Sequence, residues 1–189
     1  MGFGILFCAY FFAFGFSPGA NYIVGIVGII GTVLLYIASR KLAVHSKTFV
    51  FATYASIILT LSYAISVVIN FATTAEDVSK LMQAFMILAV FTYNFLMYKG
   101  ISEIALIAEN SIVHLKAVRM TIIVIIYYLT VASASISSYF SFKITPLISL
   151  LSALFSIIWL IGSLRLIFYA YMRICMPGDE DMPIKHKHK

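Results

Sequence analysis

The sequence predicts an all-α fold, a polytopic integral membrane bundle of six transmembrane helices, from composition, span length and charge placement. Of its 189 residues, 62% are hydrophobic and only 11% are charged. A soluble domain has roughly 45–50% apolar and about 25% charged residues, so the apolar surplus has to face lipid. We assign residues 1–171 to a single transmembrane domain and 172–189 to a short charged tail.

Five uncharged or nearly uncharged stretches meet or approach the length of a membrane crossing. A hydrocarbon core about 30 Å thick takes roughly 20 helical residues. The five predicted spans are residues 22–39, 48–72, 81–98, 118–140 and 144–171. In the last span we expect Arg165 to extend its side chain towards the headgroups.

The first apolar segment, residues 3–16, is short for a complete crossing. The turn-forming stretch SPGANY, residues 17–22, separates it from the next span. We predict a sixth span that forms a tight hairpin with the second. A re-entrant or interfacial segment is the alternative.

The distribution of lysine and arginine predicts the orientation. With six crossings and the N-terminus inside, eleven basic residues lie on the inner side and only Lys80 and Lys143 lie outside. The inner set is Arg40, Lys41, Lys47, Lys99, Lys116, Arg119, Arg165, Arg173, Lys185, Lys187 and Lys189. Because cytoplasmic loops carry the excess of basic residues, we place both termini in the cytoplasm and the chain in the cell membrane.

Small residues are expected where helices meet, because lipid tails are as apolar as leucine and close packing drives association. One face of the second span carries small residues, and serines recur at helical spacing in the last two spans, which a short loop makes antiparallel neighbours. These candidate helix-packing or cavity residues are Gly25, Gly28, Thr32, Ser133, Ser137, Ser149, Ser152 and Ser156. We expect the serine stripes to face each other in a packed seam, with a polar conduit as the alternative.

The segment between the fourth and fifth spans, residues 99–119, is assigned to a cytoplasmic connection. Residues 101–145 contain neither glycine nor proline, which predicts that the fifth span continues backwards as one long helix. Apolar residues at helical spacing predict that its first part lies on the membrane surface or under the bundle. They are Ile101, Ile104, Ala105, Ala108, Ile112 and Leu115.

No motif for catalysis or cofactor binding is present in the sequence, which has no H-E-x-x-H, G-x-S-x-G, P-loop or Cys-x-x-Cys pattern. The confident spans carry no ionisable residue at depth, so a buried proton relay is not predicted. His114 shares a helical face with Asn110 beside Glu109, and we expect it to be solvated. We therefore predict neither an enzyme nor a cofactor.

The tail combines acids and histidines without forming a metal site. Three consecutive acids cannot converge on one cation without ligands from elsewhere. We expect a solvated tail whose lysines are drawn to anionic lipid. The candidate cytoplasmic partner contacts are Glu109, His114, Asp179, Glu180 and Asp181.

The function class follows from the short loops and the absence of an appended domain. We expect a non-enzymatic subunit or regulator of a membrane complex, in contact with the lipid bilayer and with a membrane protein partner or further copies of itself. A small solute transporter, or the membrane-embedded solute-binding component of one, is the alternative. The formal charge of +6 flanks apolar spans, so nucleic acid is not an expected partner.

Overall fold

The computed structural model describes residues 2–15, 22–72, 76–139 and 145–174, and these ranges are helical apart from short turns. The six helices are α1 (Gly2–Phe14), α2 (Tyr22–Leu42), α3 (Lys47–Ala72), α4 (Glu76–Ile107), α5 (Ser111–Tyr139) and α6 (Thr145–Arg173). Five of them, α2 to α6, are long and apolar enough to cross a membrane. The predicted all-α membrane bundle is confirmed.

The helices form a closed ring in chain order. Each helix packs on the next one, and α6 packs on α1. The helices α1, α3 and α5 begin at one end of the ring, which we call the basic end. The half of the bundle at this end carries Arg40, Lys41, Lys47, Lys99, Lys116, Arg119, Arg165 and Arg173.

The first helix is shorter than the other five. Its 13 residues correspond to about 20 Å, against about 30 Å for the hydrocarbon core. A Cβ atom on Gly2 would lie against Leu42, and one on Gly31 would lie against Ala13. The helix α1 therefore runs antiparallel to α2 along the half of the bundle at the basic end.

A tight turn separates α4 from α5, so the single helix predicted through residues 101–119 is wrong. Glu109 adopts a left-handed conformation with φ of 53°. The Asn110 N–H donates to Ala105 O at 2.8 Å and the Glu109 N–H to Leu106 O at 3.1 Å, the bonds of a Schellman helix end. Asn110 also begins α5, because its Oδ1 accepts from Val113 N at 3.1 Å.

The end of α4 belongs to the core of the bundle. Ile101, Ile104 and Ala105 are buried in the core, whereas Ile112 and Leu115 beyond the turn are exposed. The apolar stripe predicted for one surface helix thus belongs to two helices with different surroundings.

The hydrophobic core occupies the half of the bundle at the basic end. Among the side chains that are described, the core residues of α4 begin at Ala89, those of α5 end at Val124, and those of α6 begin at Trp159. The core residues of α1 are Phe3, Leu6, Ala9, Tyr10 and Ala13. Measured along the helix axes from the basic end, the core therefore extends about as far as α1 does.

Gly31→Ala is expected to destabilise the bundle, because an added Cβ would lie 2.3 Å from the backbone nitrogen of Ala13. Overpacking of this kind costs about 1–3 kcal/mol. Thermal unfolding in detergent, followed through the single tryptophan, measures the loss. Val33→Ala, at an exposed position of the same helix, is the control, and equal midpoints for the two variants would contradict the predicted close contact.

Candidate functional site

The interior of the bundle holds a group of polar and aromatic side chains that we call the central polar cluster. Its members are Tyr10 of α1, Asn94 and Tyr98 of α4, and Trp159 and Ser163 of α6, all of them buried. Within α4 and within α6 the members are four residues apart, so each pair lies on one helical face. The cluster joins three helices that are not all neighbours in sequence.

A closed loop of hydrogen bonds links α4 to α6. The Trp159 Nε1–H donates to the Tyr98 hydroxyl oxygen at 2.9 Å, and Ser163 Oγ donates to the Trp159 carbonyl at 2.5 Å. The Tyr98 and Ser163 hydroxyl oxygens are 2.5 Å apart. Since the single Ser163 proton is already directed to the carbonyl, Tyr98 is the donor in this bond. The loop begins and ends at Trp159.

A second branch joins α1 to α4. The Tyr10 hydroxyl donates to Asn94 Oδ1 at 2.7 Å, and Asn94 Nδ2 donates to Val90 O at 2.8 Å. The Tyr10 oxygen also lies 3.3 Å from that of Tyr98. The two branches therefore meet between the tyrosine hydroxyls at the centre of the bundle.

Aromatic rings surround the indole of Trp159. It stacks on Tyr127 with a centroid distance of 5.2 Å and an interplanar angle of 9°. Phe14 and Tyr10 present their edges at 5.6 and 6.1 Å. These are favourable distances for aromatic pairs, and the rings hold the indole N–H in place for Tyr98.

Two further tyrosines satisfy polar groups around α1 and α2. The Tyr63 hydroxyl of α3 donates to the carbonyl of Ala13 at 3.0 Å, one of the last carbonyls of α1, which lack a partner within the helix. The Tyr93 hydroxyl of α4 lies 3.2 Å from Ser39 Oγ of α2. Tyrosine hydroxyls thus connect α1, α2, α3, α4 and α6.

These contacts satisfy the polar groups that the described residues bring into the interior. In the part of the chain that is described, every buried side-chain nitrogen or oxygen has a hydrogen-bond partner. The same part contains no group of three or more histidine, cysteine, aspartate or glutamate residues that could hold a metal ion. The central polar cluster can therefore hold helices together, since its donors and acceptors are directed at one another.

A second polar site lies at the basic end, where α3 begins. The Glu103 carboxylate of α4 accepts from Ser46 Oγ at 2.6 Å and from Thr48 Oγ1 at 2.5 Å. Ser46 Oγ accepts from Thr48 N at 3.1 Å, which makes Ser46 the N-cap of α3. A negative charge is favourable at a helix N-terminus, so this site fixes the end of α4 against the start of α3.

The predicted partner contacts Glu109 and His114 lie on either side of the Asn110 cap. His114 Nδ1 is 2.8 Å from Ser102 Oγ of α4, whereas the Glu109 side chain is exposed in the turn. Asp179, Glu180 and Asp181 lie outside the described residues. The role of all five residues as partner contacts stays a prediction.

The predicted small residues of α2 lie against α3. A Cβ atom on Gly25 would lie 2.9 Å from Val67, and one on Gly28 would lie 2.9 Å from Tyr63. Thr32 is buried, and its hydroxyl donates to Ile29 O at 2.8 Å. These three residues thus lie on one side of α2. Larger side chains at the two glycines would clash with α3, and Thr32 is already buried in the packing.

The predicted serines occupy two different surroundings. Ser133 of α5 and Ser149 of α6 are exposed, whereas Ser152 and Ser156 are half-buried on the α6 face that also carries Trp159. The hydroxyls of Ser133, Ser152 and Ser156 donate to carbonyls of their own helices. The side chain of Ser137 lies outside the described residues.

Sequence reasoning missed most of the central polar cluster. Asn94 is a polar residue within a predicted span, but tyrosines near the ends of spans are typical of interfacial anchors. The only signal was the spacing, since Asn94 and Tyr98, like Trp159 and Ser163, share a helical face. Nothing in the sequence alone indicates that α1 brings Tyr10 to the same point.

Comparison of the chain with protein-family models, with curated proteins and with solved structures finds no match.

Tyr98→Phe is expected to lower the free energy of unfolding, because it removes the acceptor of the Trp159 indole and the donor to Ser163. An interhelical hydrogen bond in a membrane contributes about 0.6 kcal/mol on average and about 1.7 kcal/mol at most, so we expect a loss of about 1–2 kcal/mol. Denaturant unfolding in detergent measures this loss of free energy. The wavelength of the tryptophan emission maximum should also shift, because the indole N–H loses its acceptor. Tyr54→Phe, at a tyrosine that is 62% exposed, should change neither. A Tyr98→Phe variant as stable as the control would contradict the closed loop.

Proposed function

We propose that this multi-pass membrane protein is a non-enzymatic subunit or regulator of a membrane complex. The observation that carries the proposal is the uneven burial of its spans. In the most apolar 18-residue stretch of α2, 44% of the residues are buried within the chain, but in the corresponding 18-residue stretch of α6 only 11% are buried. A long helix with so little packing in its own bundle has a surface free for another helix.

The exposed side of α6 supports a protein partner in addition to lipid. Large apolar side chains alone favour neither, because lipid covers them as well as another helix does. The exposed small residues Ser149 and Ala153 lie among them, and small residues allow helix backbones to approach closely. The exposed apolar side chains are Leu147, Leu150, Leu151, Leu154, Ile157, Ile158 and Ile161.

Among the described residues, the interior of the half at the basic end has no open path, which favours a structural role for this half and not a role as a conduit. The hydrogen-bond donors of Tyr98, Ser163 and Trp159 are all directed at acceptors within this group. Aromatic rings pack around the Trp159 indole. A solute passing here would have to break that loop. No residue of the loop is an acid or base suited to catalysis at neutral pH.

We further propose that the basic end faces the cytoplasm of the cell, with both chain termini on that side. The support is the eleven-to-two division of lysine and arginine in the sequence. The ends of α2, α4 and α6 and the starts of α3 and α5 lie together at the basic end and gather eight of the basic residues there, as the positive-inside rule requires.

A photo-crosslinking amino acid at Leu154 or Ile157 of α6 is expected to capture a transmembrane protein, either another subunit or a second copy. The matched control positions are Leu61 and Val68 of α3, which are equally exposed. Illumination of intact cells, purification and mass spectrometry identify the adducts. We expect one stoichiometric protein adduct from α6 and lipid adducts from α3; lipid adducts alone from both helices would contradict the proposal.

One observation favours the alternative, a small solute transporter. The half-buried serines Ser152 and Ser156 continue the inward face of α6 beyond Trp159, away from the basic end. The described part of α1 ends at the level of the cluster, so its side chains do not cover them. A solute site in this half would use these hydroxyls and would open away from the basic end.

Thiol labelling separates the two functions. In a background of Cys8→Ser and Cys175→Ser, we expect Ser152→Cys and Ser156→Cys to be as unreactive as the lipid-facing control Ile157→Cys towards a charged, membrane-impermeant reagent. A transporter would make the two serine positions react at least about tenfold faster than the control, because a charged reagent reaches thiols only through water. Rates are measured by the mass increase of the protein over time.

A further inference from the structure

We propose that the basic end contains a binding site for the phosphate group of an anionic phospholipid. Four side chains form it, and we call them the Tyr169 cation cluster: Lys116 of α5 and Arg165, Tyr169 and Arg173 of α6. The site is separate from the central polar cluster and from the α6 surface discussed above, so it does not depend on the proposed function.

The geometry brings three cations to one aromatic ring. Lys116 Nζ lies 3.1 Å from the centroid of the Tyr169 ring. The guanidinium carbons of Arg165 and Arg173 lie 5.7 and 5.5 Å from the same centroid. The three α6 residues are spaced by four, so they lie along one face of the helix.

Close packing of α5 on α6 fixes the position of Lys116. A Cβ atom on Gly162 would lie 2.8 Å from the sulfur of Met120, so the two helices approach closely there. Lys116 is one helical turn nearer the basic end than Met120. This register places its ammonium group over the Tyr169 ring.

The described residues provide no negative charge for these cations. Only two carboxylates have described side chains. Glu103 is occupied by Ser46 and Thr48 at the start of α3, and Glu109 is exposed in the turn after α4. Three like charges around one ring repel one another, and an anion bound between them would relieve that repulsion.

The depth of the cluster matches that of lipid phosphates. The 29 residues of α6 span about 43 Å, which exceeds the hydrocarbon core of about 30 Å. We place the excess of about 13 Å at the basic end, because basic residues favour the headgroup region; it then takes in the roughly 12 Å of helix from Arg165 to Arg173. Arginine binds phosphate oxygens through two parallel N–H bonds and lysine acts as a point charge, so the cluster supplies both kinds of contact.

Neighbouring side chains favour a lipid over free phosphate. Phe168 and Met172 flank Tyr169 in sequence and are 49% and 47% exposed. They are one turn apart on an adjacent face of α6, where an acyl chain of the bound lipid would lie. The Tyr169 ring keeps the cations in place through cation–π contacts before the lipid binds.

The test is native mass spectrometry of the full chain in detergent, titrated with phosphatidylglycerol. The cluster variant is Lys116→Gln/Arg165→Gln/Arg173→Gln. The control, Arg40→Gln/Lys41→Gln/Lys47→Gln, removes the same charge at the same end but outside the cluster. We expect the cluster variant to bind at least about tenfold more weakly than the control, since each basic residue near a membrane surface contributes about fivefold. Equal loss in the two variants would overturn the proposal.

Two further measurements exclude misfolding and free phosphate as explanations. Arg165→Lys/Arg173→Lys keeps the charge and should fold normally, but should bind a few-fold more weakly because the paired N–H geometry is lost. The zwitterionic lipid phosphatidylcholine should bind more weakly than phosphatidylglycerol. Binding of inorganic phosphate to the cluster with no preference for phosphatidylglycerol over phosphatidylcholine would overturn the lipid assignment.

Discussion

The close contact between the backbones of α1 and α2 is the constraint on which the rest of the structure depends. Gly31 has no side chain, so Ala13 and Phe12 can lie directly against it. This approach holds α1, which at about 20 Å is shorter than the hydrocarbon core is thick, between α2 and α6 and brings Leu6, Tyr10 and Ala13 into the interior. The core ends where α1 ends, because in the other half of the bundle the described part of α1 provides nothing for α4, α5 and α6 to pack against.

A second consequence concerns the polar groups that α1 carries inwards. Inside a membrane no bulk water satisfies a hydroxyl or a helix-end carbonyl, so each must find a protein partner. Tyr10 finds Asn94, and the carbonyl of Ala13 finds Tyr63. The buried hydroxyls of the described chain thus replace the hydrophobic driving force that helices lack in lipid. They also give the bundle one defined arrangement, since each donor in the Trp159 loop has one acceptor.

Most of the fold could be predicted from the sequence because the spans are long and charge-poor. The helices α2, α3 and α6 begin and end within three residues of their predicted bounds, whereas α4 continues nine residues past its predicted end and α5 begins seven residues before its predicted start. The turn after α4 could not be predicted, because Glu109 adopts a left-handed conformation that is usually taken by glycine, and the capping role of Asn110 is visible only once that turn is known. The central polar cluster was missed for a different reason. Tyrosine and tryptophan occur both at membrane interfaces and in cores, and only the position of α1 distinguishes the two cases here.

The two halves of the bundle therefore suit different tasks. The half at the basic end is packed, internally hydrogen-bonded and rich in cations, so its helices have one defined arrangement. In the most apolar 18-residue stretches of α5 and α6 only 17% and 11% of the residues are buried within the chain, so most of their side chains there are exposed. The proposed docking on a partner within the membrane would use this division, because the packed half fixes one end of α6 while most of the surface beyond it stays exposed.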